Sequence, residues 1–508
     1  MTLEERLATY VIEGTKDGLI EDLTLALQTY SPLDIINGPL MNGMDEVGRL
    51  FNDNQLIVAE VLQSAEVMKA AVAFLEPYME KNETSVKGKV LLATVKGDVH
   101  DIGKNLVDII LSNNGFHVVD LGIKVTPQQL IEAVRHEQPD MIGLSGLLVK
   151  SAQQMVLTAQ DLKQAGISLP ILVGGAALSR KFTDTKIAPE YDGIVLYAKD
   201  AMEGLTLANR IIQQDIAYEK KEKMEHVTKQ QNAVAVMTKS NVKRAPIYVP
   251  TDTEKHTLKD IPLSHIEPYV NWQMLLGHHL GLKGNVKKLL AEGNEKAIML
   301  KELIEELLAE AKQTKSLAPK AVYQFFPARS DGDTVIIYDP SDQQTMIETF
   351  TFPRQTKAPY LCLADYLSSE QIDYVGLFAV TAGAGVRDLA LRFKEEGQFL
   401  KSHAIQALAL ELAEGLAERV HQIMRDRWGF PDSPDFTMEE RFAAKYQGQR
   451  FSFGYPACPN LEDQEKLFRL LRPEEIGIHL TEGYMMEPEA SVSAIVFAHP
   501  EARYFNVL

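Results

Sequence analysis

Asp98, His100 and Gly103 are the residues of this chain whose types and spacing could do chemistry. They stand in the run Gly97-Asp98-Val99-His100-Asp101-Ile102-Gly103, an imidazole with a carboxylate two residues before it. An imidazole ligates a metal through one ring nitrogen, and a carboxylate at the other tunes its basicity. The run follows the apolar stretch Val90–Val95 and precedes Leu106–Leu111, whose spacing is helical. That switch places His100 on the turn at the C-terminal end of a buried strand, where open α/β sheets bind their ligands.

Two phosphate-binding patterns fail here. A dinucleotide loop needs G-x-G-x-x-G, but Gly97 is followed by Asp98 and Val99. A P-loop needs G-x-x-x-x-G-K-[ST]; Gly97 and Gly103 are one residue too far apart, and Asn105 follows Lys104. One imidazole cannot hold a bare zinc ion, which takes about four ligands. A lone histidine suits a metal already held in a macrocycle, cobalt in a corrin or iron in a porphyrin, with an axial position left for the protein. The competing reading is a solvated or capping histidine in an ordinary βα loop. Ser145-Gly146-Leu147 and Val173-Gly174-Gly175-Ala176 end later strands on the same sheet edge. Small residues there often only permit a turn. Three such signals on one edge favour a slot for a long ligand tail.

The elements that must position these residues fall into an order. Residues 1–86 carry helical periodicity and read as a small helical bundle, with helices at Gly38–Leu50 and Val58–Tyr78. Residues 87–214 alternate strand and helix. Strands at Val90–Val95, His117–Leu121, Met141–Ser145, Ile171–Val173 and Ile194–Tyr197 make a five-stranded parallel, flavodoxin-like sheet. Helices lie between the strands, one at Thr183–Ala188, and Met202–Ile212 closes the unit. Residues 215–250 are polar and read as a linker. Residues 251–508 form an α+β domain with an acidic helix at Glu302–Lys312, a hairpin around Asp331-Gly332 and a long helix at Ser402–Met424.

The 508 residues are enough for about two to four domains. A net charge of −18 argues against general affinity for nucleic acid or anionic membrane. Two cysteines, Cys362 and Cys458, provide no disulfide framework and no cysteine-rich metal site. No segment is apolar for long enough to span a bilayer, the N-terminus lacks a signal peptide's core, and the chain reads as cytoplasmic.

Asp98-x-His100-x-x-Gly103, Ser145-x-Leu147 and Gly174-Gly175 together resemble the cobalamin-binding signature of B12-dependent methyltransferases. Gly38-Pro39-Leu40-Met41-Asn42-Gly43-Met44 and Val47-Gly48-x-Leu50-Phe51 resemble the cap domain of the cobalamin-dependent methionine synthase family. Phe326-Pro327-Ala328, Cys362-Leu363-Ala364-Asp365-Tyr366, Tyr446-Gln447-Gly448-x-Arg450 and Gly454-Tyr455-Pro456-Ala457-Cys458-Pro459 are similar to that family's reactivation domain. The resemblance covers essentially the whole chain, in the family's order.

The resemblance implies roles for particular residues. His100 is the lower axial ligand to the cobalt of methylcobalamin, Asp98 hydrogen-bonds its other ring nitrogen, and Ser151 hydrogen-bonds Asp98. Gly97, Val99, Asp101, Gly103, Ser145, Leu147, Val149, Gly174, Gly175 and Ala201 line the cobalamin site, with Asn37, Phe51 and Val58 contributed by the cap. Arg450 clamps the carboxylate of S-adenosylmethionine, and Asn271, Glu414, Tyr455, Tyr504 and Phe505 complete that site. Asn271 and Ala444 stand where the family has an aspartate and a glutamate, both changes removing negative charge beside a sulfonium ligand. Val149, Asn37 and Val58 likewise replace a threonine, a glutamate and a leucine. The implied activity is carriage of a methyl group on cobalt between 5-methyltetrahydrofolate and homocysteine. Reductive remethylation with S-adenosylmethionine accompanies it, with a flavodoxin-like protein as reductant. Homocysteine and folate modules, and the former's zinc site, are expected outside this portion, which would be an excised fragment or a natural split subunit. A stand-alone corrinoid carrier is the alternative.

Overall fold

The computed structural model describes residues 1–79, 86–214 and 240–507. Positions 215–239 of the expected linker lie outside the described residues, and 240–250 carry neither helix nor strand. The chain divides into two compact units. One comprises residues 1–214, Trp272–Leu307 and Arg387–Ala407; the other comprises 240–271, Leu308–Val386 and 408–507.

The first unit opens with helices Leu3–Glu13, Leu19–Ala26, Met41–Asn52 and Val58–Leu75. Thr2 closes a capping box with Glu5, and Gly14 ends the first helix in the left-handed region at φ 67°. Gly43 lets two helices touch: a Cβ there would stand 2.8 Å from the Ala8 carbonyl oxygen and 2.9 Å from the Val11 Cβ. The helix expected over Gly38–Leu50 instead starts at Met41, after a wide turn over Ile36–Leu40 kinked at Gly38 (φ −91°, ψ −106°). Pro39 explains the difference, since it lacks an N–H and disfavours helical backbone at the residue before it.

Five parallel strands follow: β1 (Gly88–Thr94), β2 (Phe116–Asp120), β3 (Met141–Ser145), β4 (Ile171–Gly174) and β5 (Val195–Tyr197). Their spatial order is β2-β1-β3-β4-β5. Side chains alternate across the sheet. Val90, Leu92 and Met141 join a core shared with the helical bundle and with helices Ile102–Ser112 and Ala201–Ile212. Leu91, Ala93, Ile142 and Leu144 face a second core under helices Pro127–Glu137 and Val149–Gln164. The helix expected over Thr183–Ala188 is broken into short turns at Arg180–Phe182, Thr183–Ile187 and Ala188–Glu190, the last holding Pro189.

Segments Trp272–Leu307 and Arg387–Ala407 pack within this same unit. Lys296 Nζ lies 2.9 Å from Glu60 Oε2, and the Leu400 amide donates to Glu66 at 3.0 Å. Asn105 donates to Gln406 at 2.9 Å, and Lys394 pairs with the buried Asp108.

The second unit is built on a seven-stranded antiparallel sheet. Its strands are β6 (His256–Leu258), β7 (Lys320–Asp331), β8 (Thr334–Tyr338), β9 (Met346–Thr351), β10 (Asp373–Thr381), β11 (Gln449–Phe451) and β14 (Ser491–Phe497). The order is β11-β14-β10-β7-β8-β9, with β6 also on β7; β12 (His479–Leu480) and β13 (Met486–Glu487) form a separate ladder. The β7–β8 hairpin turns at Gly332, whose φ is 58°. Helix Phe399–Trp428 sends Met424 and Trp428 against Gly376 on β10, where a Cβ would meet Met424 Cε at 2.3 Å. Phe350, Phe451 and Phe497 join another core cluster of this unit.

Candidate functional site

At the C-terminal edge of the parallel sheet, Thr94, Ser145 and Gly174 stand side by side on β1, β3 and β4. The connection from β1 leads outward to β2 and that from β3 leads the other way to β4, so the crevice between them is the sheet's switch point. The turn after β1 crosses it. Asp98 is fully buried and both its carboxylate oxygens are used. Oδ1 accepts from the His100 amide at 2.9 Å and lies 2.6 Å from His100 Nδ1. Oδ2 accepts from the Leu147 amide at 2.8 Å and from Ser151 Oγ at 2.5 Å.

A carboxylate only accepts, so Nδ1 is the donor and Nε2 of the neutral ring carries the lone pair. Burial pushes the Asp98 carboxyl up, but the hydrogen bonds from His100 and Ser151 and the attraction of the imidazole outweigh it. The group ends below the usual carboxylate value. The His100 side chain keeps 21% exposure.

The rim of this crevice has the features of a ligand cradle. Gly175 has φ 146° and lies so close that a Cβ would stand 1.6 Å from the Gly146 carbonyl oxygen. A Cβ on Gly146 would in turn stand 2.5 Å from Ser151 Cβ and 3.2 Å from Asp98 Oδ2. Gly103 has nothing within 4 Å of a Cβ position. The Thr94 hydroxyl is buried without a hydrogen-bond partner, the kind of group a polar ligand tail satisfies. Leu147 and Val149 are exposed at 36% and 66%, apolar surface beside the buried polar pair. Gly97 turns at φ 77°, and Val99 and Asp101 are buried around it. Ala201 begins the helix capped by Asp200.

Hydrogen bonds thus gather Asp98, His100, Leu147 and Ser151, while Ser145 and Gly174 are gathered by strand register. The helical bundle's candidates sit on their own elements. Phe51 is half-buried against the shared core, and Asn37 is exposed in the kinked turn. Val58 opens the helix Val58–Leu75, where a Cβ on Gly281 would lie 3.0 Å from its backbone nitrogen.

The second unit holds a different site. The Arg450 side chain, on β11, meets its neighbours through Nη1: Glu418 Oε2 at 2.9 Å, Tyr446 Oη at 3.1 Å and His421 Nδ1 at 3.3 Å. The Nε–Nη2 edge stays available for a bidentate carboxylate, and the side chain is 18% exposed. Burial pulls the guanidinium down, but Glu418, Tyr446 and Glu414 together outweigh it and hold the proton firmly. The fields of Glu414 and Arg450 reach Tyr504, that of Glu414 reaches Tyr455, and Tyr504 donates to the Arg450 carbonyl at 2.7 Å. Tyr455 and Tyr504 are each 56% exposed, an aromatic rim beside a buried cation. Phe505 packs against the sheet core. Asn271 is half-buried, two residues after Tyr269, whose carbonyl crosses the helix at Gly415. Ala444 adopts φ 51° and its carbonyl accepts from Gln449. Burial raises the Cys362 and Cys458 thiols to about 12, which keeps both protonated.

Sequence reasoning missed Glu418, His421, Arg425 and Asp432, and quoted Tyr446 only within a motif, without a role. Arg425 and Asp432 form a bidentate pair at 2.7 and 2.6 Å, and the Arg425 guanidinium stacks 3.8 Å from the Tyr446 ring centre. The available signal was the polar series Glu411, Glu414, Glu418, His421 and Arg425 at helical spacing within an otherwise Ala- and Leu-rich helix.

His100, held at the switch point of the parallel sheet, lies within a segment that matches a vitamin B12 binding domain. Residues 88–206 match the B12 binding domain family, and residues 3–76 match a second B12 binding domain family. Residues 262–508 match the vitamin B12 dependent methionine synthase activation domain. Together these matches span most of the chain, which is homologous to the C-terminal part of methionine synthase. All of it aligns at 35% identity with 46% of the methionine synthase of Mycobacterium tuberculosis (strain ATCC 25618 / H37Rv), and equally with that of Mycobacterium leprae (strain TN). It therefore spans slightly under half the length of these relatives. A crystal structure of the MetH reactivation domain bound to AdoHcy aligns at 29% identity and TM-score 0.49, covering 52% of this chain and 84% of that one. No helix among the described residues is long and apolar enough to cross a membrane.

Proposed function

We propose that this chain is the cofactor-carrying and cofactor-restoring portion of a methionine synthase. Residues 1–86 act as the cap, 87–214 as the cobalamin domain, 215–250 as the linker and 251–508 as the reactivation domain. Bound cobalamin supplies the cobalt centre that takes up and gives up a methyl group. His100 would hold that centre through Nε2, and Asp98 with Ser151 orients the imidazole and takes its share of any proton exchanged at Nδ1. Ser145, Leu147, Val149, Gly174, Gly175 and Ala201 receive the nucleotide tail in the crevice. Asn37, Phe51 and Val58 would shield the bound cofactor from solvent.

The carrying observation is the four-bond clamp on Asp98 at the switch point of a B12-binding domain. The test is a titration with methylcobalamin followed in the visible spectrum. Wild type should give the spectrum of a cofactor whose own base is displaced, and His100→Gly should change it. An identical spectrum in the variant would sink the assignment.

In the second unit, the open Nε–Nη2 edge of Arg450 takes the carboxylate of S-adenosylmethionine. Glu414, Tyr455, Tyr504, Phe505 and Asn271 surround the rest of the ligand. Arg425 and Arg441 pair with Asp432, and Arg450 pairs with Glu418 and also feels the charge of Glu414. Homocysteine and methyltetrahydrofolate are handled by other modules of the longer protein, and a flavodoxin-like protein provides the electron for repair. A stand-alone corrinoid carrier is disfavoured because it leaves the activation-domain match over residues 262–508 without a role.

A further inference from the structure

The Arg450 pocket raises a question that its ligand does not answer: what holds the guanidinium in the one orientation that leaves its Nε–Nη2 edge outward. Glu418, His421 and Arg425 follow at three- and four-residue spacing on one face of helix Phe399–Trp428. Glu418 and His421 meet Arg450 from the same side, and Tyr446 meets it as well, all at Nη1.

Arginine has donors only, so the contact at 3.3 Å makes His421 Nδ1 an acceptor. The ring is then the neutral tautomer with its proton on Nε2. That atom is buried with no hydrogen-bond partner, as is Glu418 Oε1. An unsatisfied buried donor is destabilising, a cost the fold carries to present Nδ1 to the arginine.

The surroundings enforce the same protonation state. Burial, Arg425 and Arg450 together push the His421 imidazole well below its ordinary range. The ring also stands edge-on to Tyr446, with centroids 5.0 Å apart, and Arg425 covers the other contact surface of that tyrosine. A charged imidazole would add a further cation beside Arg425 and Arg450.

We propose that His421 is a positioning residue for Arg450: its neutral imidazole accepts from Nη1 and, with Glu418 and Tyr446, turns the Nε–Nη2 edge toward the carboxylate of an amino-acid-bearing ligand. The proposal rests on reading the Arg450 pocket as the S-adenosylmethionine carboxylate site. It predicts a dependence on the ligand's carboxylate that a residue serving only the fold would not show.

The test is calorimetric titration of the full chain with two probes. S-adenosylhomocysteine carries the carboxylate, and 5′-methylthioadenosine is a nucleoside thioether without it. His421→Leu should weaken S-adenosylhomocysteine by about tenfold or more and leave 5′-methylthioadenosine within about twofold. His421→Asn can place an amide oxygen near the Nδ1 position and should recover S-adenosylhomocysteine binding to within about threefold, whereas His421→Gln, which reaches the Nε2 position, should not. Equal losses for both probes, or no recovery by asparagine relative to leucine, overturn the proposal. Nitrogen NMR of the wild-type imidazoles decides it independently should the leucine variant not fold. The Nε2–H neutral form at pH 7 is expected for His421, and an Nδ1–H form or an imidazolium overturns the proposal. Wild-type protein that binds 5′-methylthioadenosine as tightly as S-adenosylhomocysteine instead overturns the underlying reading of Arg450.

Discussion

His100 and His421 are both imidazoles fixed through Nδ1, and the partner at that nitrogen makes them opposites. Asp98 can only accept, so His100 donates from Nδ1 and carries its lone pair on Nε2. Arg450 can only donate, so His421 accepts at Nδ1 and carries its proton on Nε2. The first arrangement prepares a base for something outside the fold. The second uses up the base inside it. Surroundings follow the same division: His100 keeps partial exposure on a turn between strands, whereas His421 is fully buried on a long helix among charged neighbours.

The largest effect should come from unbalancing the His421 neighbourhood. Asp432→Ala leaves Arg425 and Arg441, with side-chain exposures of 1% and 8%, without their shared carboxylate. A loss of about 3–5 kcal/mol is expected, read as a lowered midpoint for the second unit in chemical denaturation. A change below about 1 kcal/mol would mean that the charges there are hydrated and the contrast with His100 is smaller than described. Next comes Asp98→Asn, which puts an amide donor against either the His100 pair or the Leu147 and Ser151 donors. About 2–3 kcal/mol should be lost from the first unit, with faster hydrogen exchange at the Leu147 amide.

The acid side of the stability profile separates the two histidines further. The folded value of His421 lies below its ordinary 6.5, so the unfolded chain takes up the proton first. Stability is therefore full above pH 6.5 and falls below it, by at most about 1.4 kcal/mol per pH unit. His421→Asn should flatten that slope. Asp432, whose folded value is also depressed, adds a second loss as the pH drops below its ordinary 3.8. An unchanged slope in the variant would assign the acid sensitivity elsewhere. The smallest effect is expected from Ser151→Ala, about 1 kcal/mol, because Asp98 keeps its other three hydrogen bonds.

What the sequence made legible follows from how local the signals are. β1, β3 and β4 read correctly because apolar runs bounded by small residues need no distant partner to be recognised, and the Asp98–His100 pair lies within one turn. The kink at Gly38 was missed because apolar periodicity continues across it while Pro39 interrupts the backbone. Arg450 was picked out only through its resemblance, since Glu418, His421 and Asp432 are remote in sequence and look like solvated charges. Their burial depends on how β11 and the long helix meet, which no local pattern encodes. The grouping of Trp272–Leu307 and Arg387–Ala407 with the first unit is likewise decided by packing rather than by composition.

The Asp98 carboxylate joins the turn after β1 to the turn after β3, and Gly175 presses its backbone against the second of these. Three separate loops thereby share one set of restraints. A ligand arriving at this edge has few protein rotamers left to freeze, each of which would otherwise cost about 0.5–1.5 kcal/mol. The empty and loaded forms of this domain should consequently differ little in loop order, and exchange of the ligand becomes a question of access rather than of folding the loops around it.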